Sequence, residues 1–444
     1  MTALTVSMIV RDAEGFLPEC LQSVRLLSPE IVIADTGSTD RSVEIAREFG
    51  AKVIHIPWQN NFAEARNRAL AEASGDWILS LDADEQLDPS TAAGIPALFE
   101  NKTVAAYQVT IRNYVKGANE RIWDTPPKAN DSLLGSAAAY PAFVEHENIR
   151  LFRRSAEIYF VGRVHESVGP RLRELKRTLG RANFFIHHFG FAVDAATKAR
   201  KNGLYREMGR QKLLEFPKDW QAHLEQGLLE LEEYKNLPEA RVLFSRACEL
   251  NPSSGVSWFF LSLTIFRMGL YEDALNFLRQ AEQAGQKTAL VAETRGDAYY
   301  NLAKFDEARA SYEAALKRQN GSMGVLPKLC LAMIRSGKAE KGLARLRSAL
   351  TLTPQVAEIH EGLILALVFL NRLEDAAQAS DEKLRLVQGL LPTDYLRSAS
   401  LWAQVRNWQL SSHALELGLI AHSGNAHLTR ALDEIFLASG VQER

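Results

Sequence analysis

Gly75-Asp76-Trp77-Ile78-Leu79-Ser80-Leu81-Asp82-Ala83-Asp84-Glu85 decides the fold. A small turn residue releases a short apolar run that ends in two carboxylates one residue apart. Trp77, Ile78, Leu79 and Leu81 read as a buried central strand, with no room for a helix. Asp82 and Asp84 follow its C-terminal end, where open α/β sheets gather their ligands. An Asp-x-Asp pair in that place suits a divalent cation carrying a phosphorylated ligand, because hard cations want carboxylate oxygens. Taken alone, the pair is more often a solvated acidic turn, so its surroundings carry the argument.

Upstream, strands and amphipathic helices alternate. Leu4–Val10 reads as a strand and Leu17–Leu26 as a helix. Glu30–Ala34 is a second strand, and Asp40–Phe49 a helix that Ser38 or Thr39 can cap. Lys52–Ile56 is a third strand, Asn61–Ala73 a helix, and Trp77–Leu81 the strand above. That alternation predicts a parallel sheet covered by helices. Ala106–Tyr114, Ile149–Arg153 and Phe184–His188 read as further strands.

After about residue 200 only helical periodicity remains. Ala240, Ala274, Ala308, Gly342 and Ala376 stand 34 residues apart, and Ala247, Ala281, Ala315 and Ala349 recur in step. Pro252 and Pro354 share one phase, where a helix should stop. Small residues at a period of 34 are the tetratricopeptide signature. Five to six repeats are expected, with a degenerate one around Trp408 and the last helices as a cap.

The 444 residues, 46% of them hydrophobic, predict two domains. A net charge of −2 gives no electrostatic case for nucleic acid or a membrane surface. The longest apolar runs are too short to span a bilayer. Three scattered cysteines form neither a disulfide framework nor a metal site, so a cytoplasmic protein is expected.

Asp35-Thr36-Gly37-Ser38-Thr39-Asp40 leaves the second strand. The Asp35 carboxylate there can accept the N–H of a pyrimidine edge, while turn amides face ribose or phosphate; such an Asp is otherwise a cap. Arg66 and Arg68 lie on neighbouring faces of their helix, and either can reach a diphosphate or stand as an exposed helix charge.

Met8-Ile9-Val10-Arg11-Asp12-Ala13-Glu14, Asp35 to Asp40, Phe62-Ala63-Glu64-Ala65-Arg66-Asn67, Gly75-Asp76-Trp77 and Asp82-Ala83-Asp84-Glu85 occur in order. Together they resemble a family-2 glycosyltransferase of the GT-A fold, closely over about 90 residues and more weakly to about 195. The branch most similar is that of lipopolysaccharide-core β-glucosyltransferases and peptide S-glycosyltransferases, which carry helical C-terminal extensions. Relatives usually have Lys-Asn-Glu-Glu where this chain has Arg11-Asp12-Ala13-Glu14. The resemblance implies that Asp35 contacts uracil, Asp82 approaches the ribose and Asp84 is the metal ligand. Arg66 would lie against the base or diphosphate, with Val10 and Ala83 also in the nucleotide-sugar site.

An Arg-Leu-Phe-Arg run followed by Gly-x-x-His-Glu, here Arg150 to Arg153 and Gly162 to Glu166, is similar to that branch. Inverting transfer needs one carboxylate to take the acceptor's proton. Glu166 is the candidate base, unless it pairs with Arg153 or Arg163; Glu145 and Glu147 stand in reserve. His188, before Phe189-Gly190-Phe191, holds the phase of a domain-closing His in similar proteins. Imidazole there suits Mn²⁺ or a phosphate oxygen. Trp58, Trp123 and Tyr140 can stack on a sugar, although core packing explains most aromatics.

The expectation is a GT-A domain over 1–195, a joining helix over 196–214 and a tetratricopeptide solenoid over 215–444. Its activity would be inverting transfer of a hexose or N-acetylhexosamine from a UDP-sugar, with Mn²⁺ or Mg²⁺. The concave groove, with Glu225, Phe259, Arg295, Lys328 and Glu361 as candidate lining, favours a polypeptide acceptor. A saccharide or lipid-linked glycan acceptor, an inactive scaffold and a homodimer contact remain as alternatives. A nucleotidyltransferase would need a Gly-rich phosphate loop that Arg11 to Gly15 does not supply.

Overall fold

The computed structural model describes residues 3–117, 127–190, 195–318 and 324–439. Trp123 lies outside them. The chain divides into two compact units, Met1–Leu229 and Glu230–Arg444.

The first unit is an α/β sheet domain. In chain order it runs β1 (Leu4–Val10), α1 (Leu17–Val24), β2 (Glu30–Asp35), α2 (Ser42–Glu48), β3 (Lys52–His55), α3 (Phe62–Ala71), β4 (Trp77–Ser80) and β5 (Glu85–Leu87). There follow α4 (Pro89–Ala92), α5 (Ile95–Leu98), β6 (Ala106–Val115), β7 (Lys128–Ala129), β8 (Ala142–Arg153), α6 (Gly169–Glu174), β9 (Leu179–His188) and α7 (Ala195–Glu215). The sheet order is β3-β2-β1-β4-β8-β6-β9-β5, with β7 paired to β8. The first four strands are parallel, as the alternation predicts. β8 is antiparallel to both β4 and β6, and β9 is parallel to β6.

β4 is buried along its length, matching its unbroken apolar run. Gly75 ahead of it serves close approach: a Cβ there would lie 2.7 Å from the backbone N of Thr5 on β1. Trp77 stacks on Phe99 and carries Arg153 over its ring at 4.5 Å. Asn61 caps α3 by accepting the Glu64 N–H. The second helix starts later than expected, at Ser42, with neither Ser38 nor Thr39 as cap. Those two side chains are engaged elsewhere. Ser38 Oγ accepts the Asp12 N–H, and Thr39 donates its N–H and hydroxyl to Asp12 Oδ1.

The described residues of the second unit form helices only, paired as Gly255–Arg267 with Tyr271–Gln283, Ala289–Asn301 with Phe305–Arg318, and so on to Pro392–Gln404 with Trp408–Ala421, before a last helix, Ala426–Ser439. Ala240, Ala274, Ala308 and Ala376 are fully buried at the helix contacts. Pro252 and Pro354 have a further use. Their carbonyls accept ring N–H groups six residues on, from Trp258 Nε1 and His360 Nε2, each at 2.9 Å. Phe259 is buried and so lines no open groove, and the charged groove candidates are bound in ion pairs. Arg295 holds both oxygens of Glu282, Lys328 bridges Glu293 and Asp297, and Glu361 meets Lys383 and Arg397. A charge on a helix face one repeat from its neighbours finds a partner there more readily than it stays bare.

Candidate active site

Parallel strands β1, β2 and β4 deliver Val10, Asp35 and the Asp82–Asp84 turn to one edge of the sheet. Val10 and Asp35 are register partners. The Val10 carbonyl accepts the N–H and hydroxyl of Thr36. Asp35 is 3% exposed and accepts from the N–H groups of Gly37 and Ser38, with His55 Nδ1 at 3.0 Å. Burial raises the Asp35 pKa, but hydrogen bonds from Ser38, His55 and Gly37 outweigh it and hold the carboxyl below its ordinary value. Gly37, at φ 103°, takes a turn that an L side chain resists.

The Arg11–Glu14 loop is laced to this turn. Asp12 binds Thr39, Glu14 accepts the Arg41 N–H, Asp40 accepts the Glu14 N–H, and Ser42 Oγ accepts the Ala13 N–H. Of the two carboxylates that tie these loops, Glu14 agrees with the Lys-Asn-Glu-Glu pattern and Asp12 stands in place of its Asn.

Arg66 on α3 is 5% exposed. Its Nη2 meets Asp82 Oδ1 and its Nε meets Glu166 Oε1, both at 2.5 Å, while Nη1 donates to Ser80 Oγ at 3.2 Å. Glu166 thus pairs with Arg66 rather than with Arg153 or Arg163, and Arg66 is spent on side chains of its own domain. Asp82 Oδ2 also takes Arg150 Nη2 at 3.0 Å, and the same nitrogen reaches Glu85 Oε1 at 2.6 Å. Burial would raise the Asp82 pKa; the guanidinium charges of Arg66 and Arg150 reverse that and hold it far below the carboxylate range. Glu85 is fully buried, and burial prevails over Arg150 to push it up to about 7. Sequence reasoning missed Arg150 and Glu85 as site residues, although both lie inside quoted motifs.

β9 pairs antiparallel with β5 so that His188 faces Glu85 and stands beside Asp84. His188 Nε2 lies 3.4 Å from Asp84 Oδ2, while Nδ1 meets Asn113 Oδ1 at 2.8 Å. Burial lowers the His188 pKa, but the bond to Asp84 and its charge raise it further. A Cβ at Gly190 would come 1.8 Å from Asp84 Oδ2, so only glycine leaves this pair its room. Ala83, half-buried, separates the two carboxylates. His187 points elsewhere, bonded to Tyr114 and Asp88 in the core.

No group of three or more His, Cys, Asp or Glu side chains that could hold a metal ion occurs among the described residues. A carboxylate oxygen and an imidazole nitrogen at 3.4 Å would fit as two ligands to a cation that takes its other ligands from elsewhere. Glu145 and Glu147 are tied elsewhere, to Arg112 with Lys128 and to Arg181. Tyr140 packs on Tyr114 and Phe189 in the core, and Trp58 packs on Phe62.

Residues 5–159 match the family described as Glycosyl transferase family 2. The first unit carries a family-2 glycosyltransferase domain. Residues 261–333 match a tetratricopeptide repeat-like domain, so the glycosyltransferase domain precedes a tetratricopeptide-type helical region. A TPR repeat-containing protein of Synechococcus elongatus is 52% identical over 87 residues, covering 20% of this chain and 22% of that protein. A glycosyltransferase of Rickettsia typhi, itself uncharacterized, is 30% identical over 125 residues, 26% of this chain and 41% of the relative. The lipopolysaccharide core biosynthesis glycosyltransferase LpsC of Rhizobium meliloti is 27% identical over 174 residues, 38% of this chain and 57% of LpsC. The chain thus spans well under half the length of the first two relatives.

Proposed function

We propose that this chain is an inverting glycosyltransferase that moves a hexose or N-acetylhexosamine from a UDP-sugar to a polypeptide acceptor recruited by the repeats. Residues 1–195 are taken as the catalytic domain, 196–214 as the joining helix and 215–444 as the repeat domain. The reaction is placed in the cytoplasm. The observation that carries the reading is the Asp84–His188 pair beside Asp82, opposite a buried Asp35 at the next strand ends but one.

Asp35, kept ionised by its turn, accepts the uracil N–H, with Val10 beside it. Asp82 faces the ribose; each of its oxygens keeps a lone pair beyond the one its arginine uses. Arg66 fixes that carboxylate and Ala83 lines the same turn. Asp84 and His188 would hold Mn²⁺ or Mg²⁺, which when bound neutralises the departing diphosphate. Glu166 takes the proton of the acceptor nucleophile as the new glycosidic bond forms and UDP leaves with the electron pair of the old one.

Calorimetry with UDP and Mn²⁺ tests this. The wild-type protein should bind UDP in a metal-dependent way. Asp84→Ala should abolish turnover and the metal dependence, whereas Asp35→Ala should chiefly weaken UDP. Absence of metal-dependent UDP binding by the wild type would remove the proposal. The likeness to LpsC over 174 residues favours a second reading, a saccharide acceptor. Radiolabel from a UDP-sugar that enters glycan fractions and not protein would select it.

A further inference from the structure

Tyr205 lies on α7, beyond the residues that match the glycosyltransferase family. Its ring meets Phe62 edge-on at 5.9 Å and His165 at 6.0 Å. Phe62 stands one helical turn before Arg66 on the same face of α3, and His165 immediately precedes Glu166. The helix is fixed in this position. Lys212, buried, donates from Nζ to the Val164 carbonyl at 3.1 Å and pairs with Glu225 at 2.7 Å, while Arg163 binds Glu215. α7 therefore straps the loop that carries Glu166, and Tyr205 enters beside the Arg66–Glu166 pair.

No group among the described residues is hydrogen-bonded to the Tyr205 hydroxyl. Burial, then the charges of Glu166, Asp82 and Asp84, push its pKa above the ordinary phenol value, so it remains a donor at neutral pH. Tyr205 is half-buried, so its hydroxyl is left free to donate to a ligand.

We infer that Tyr205 is a donor-sugar residue whose hydroxyl donates to a hydroxyl of the hexose held between Glu166 and Asp84. The inference rests on the proposed glycosyltransferase reading. If the diphosphate sits at Asp84 and His188 and the base is Glu166, the transferred ring must occupy the space between them, and the charges acting on the phenol bound that space. On that reading Asp35 holds uracil and Asp84 with His188 the diphosphate, which separates the effect of Tyr205 from that of the nucleotide-binding carboxylates.

Calorimetry on the full chain with Mn²⁺ and three probes, UDP, UDP-glucose and UDP-N-acetylglucosamine, tests it with Tyr205→Phe. The variant should bind UDP as the wild type does, which also reports its folding. Its affinity for the sugar nucleotides relative to UDP should fall by about fivefold to tenfold, the worth of one lost hydrogen bond. An unchanged ratio, or equal loss for UDP and its sugars, overturns this inference alone. A wild-type protein that binds UDP with metal but neither sugar nucleotide also overturns it, and one that binds no UDP overturns the glycosyltransferase reading with it.

Discussion

Arg150 sits with one nitrogen shared between the half-buried Asp82 and the buried Glu85, two carboxylates that would otherwise face each other unscreened. Removing one member of such a cluster leaves uncompensated charge in a low dielectric. Arg150→Met should cost about 3–5 kcal/mol of stability in urea unfolding. Measured well above pH 7, where Glu85 would ionise, Glu85→Gln on top of it should restore part of that loss, since it removes one of the stranded charges; a purely additive double variant would contradict this account. Gly190 gives the sharpest test of the cation pair. Gly190→Ala places a methyl group against Asp84 Oδ2, so metal affinity in the presence of UDP should fall by about tenfold or more, read by Mn²⁺ titration. UDP binding without metal should persist. The carboxylates of this site were legible because each ends a short apolar run, and Arg66 because its helix follows at fixed spacing. Arg150, Glu85, Asn113 and Tyr205 were not, because their partners come from antiparallel pairing and from a helix distant in sequence.

Strands buried on both faces announce themselves by composition, which is why β1, β2 and β4 were legible almost to the residue. β5 did not announce itself: Glu85, Gln86 and Leu87 carry no strand pattern and are held by β9. Likewise α2 begins at Ser42 because Ser38 and Thr39 serve the neighbouring loop, a competition that no local rule ranks. In the repeats, the 34-residue period predicts that alanine should replace Gly342 freely, since the other repeats hold alanine there. The packing says otherwise. A Cβ would lie 2.7 Å from Ile334 Cγ1 and 2.9 Å from the Cys330 carbonyl. Gly342→Ala should therefore destabilise by about 1–3 kcal/mol, measured by thermal unfolding; a neutral substitution would show that the helices separate at no cost.

At the scale of the molecule, the informative cut lies at the division between Leu229 and Glu230. A chain ending near residue 205 loses Lys212 and Glu215, so the loop bearing Glu166 loses its strap. A chain ending at 229 keeps both. It should retain hydrolysis of UDP-sugar while transfer to protein in a lysate is lost, whereas the shorter chain should lose both. Equal loss in the longer chain would mean that the repeats act only as a stabiliser. No helix among the described residues is long and apolar enough to cross a membrane. The pairing of β5 with β9 bears on heredity as well as chemistry. The recognisable family segment stops at residue 159, yet the strand that supplies His188 to Asp84 begins at Leu179. A gene fragment trimmed to the homologous segment would strip β9 from the edge of β6 and leave Glu85–Leu87 without its partner, and a bare edge strand invites other chains. Recombination that swaps cores at that seam should yield aggregates rather than enzymes of new specificity, so the less similar tail and the more similar head are bound to be inherited together.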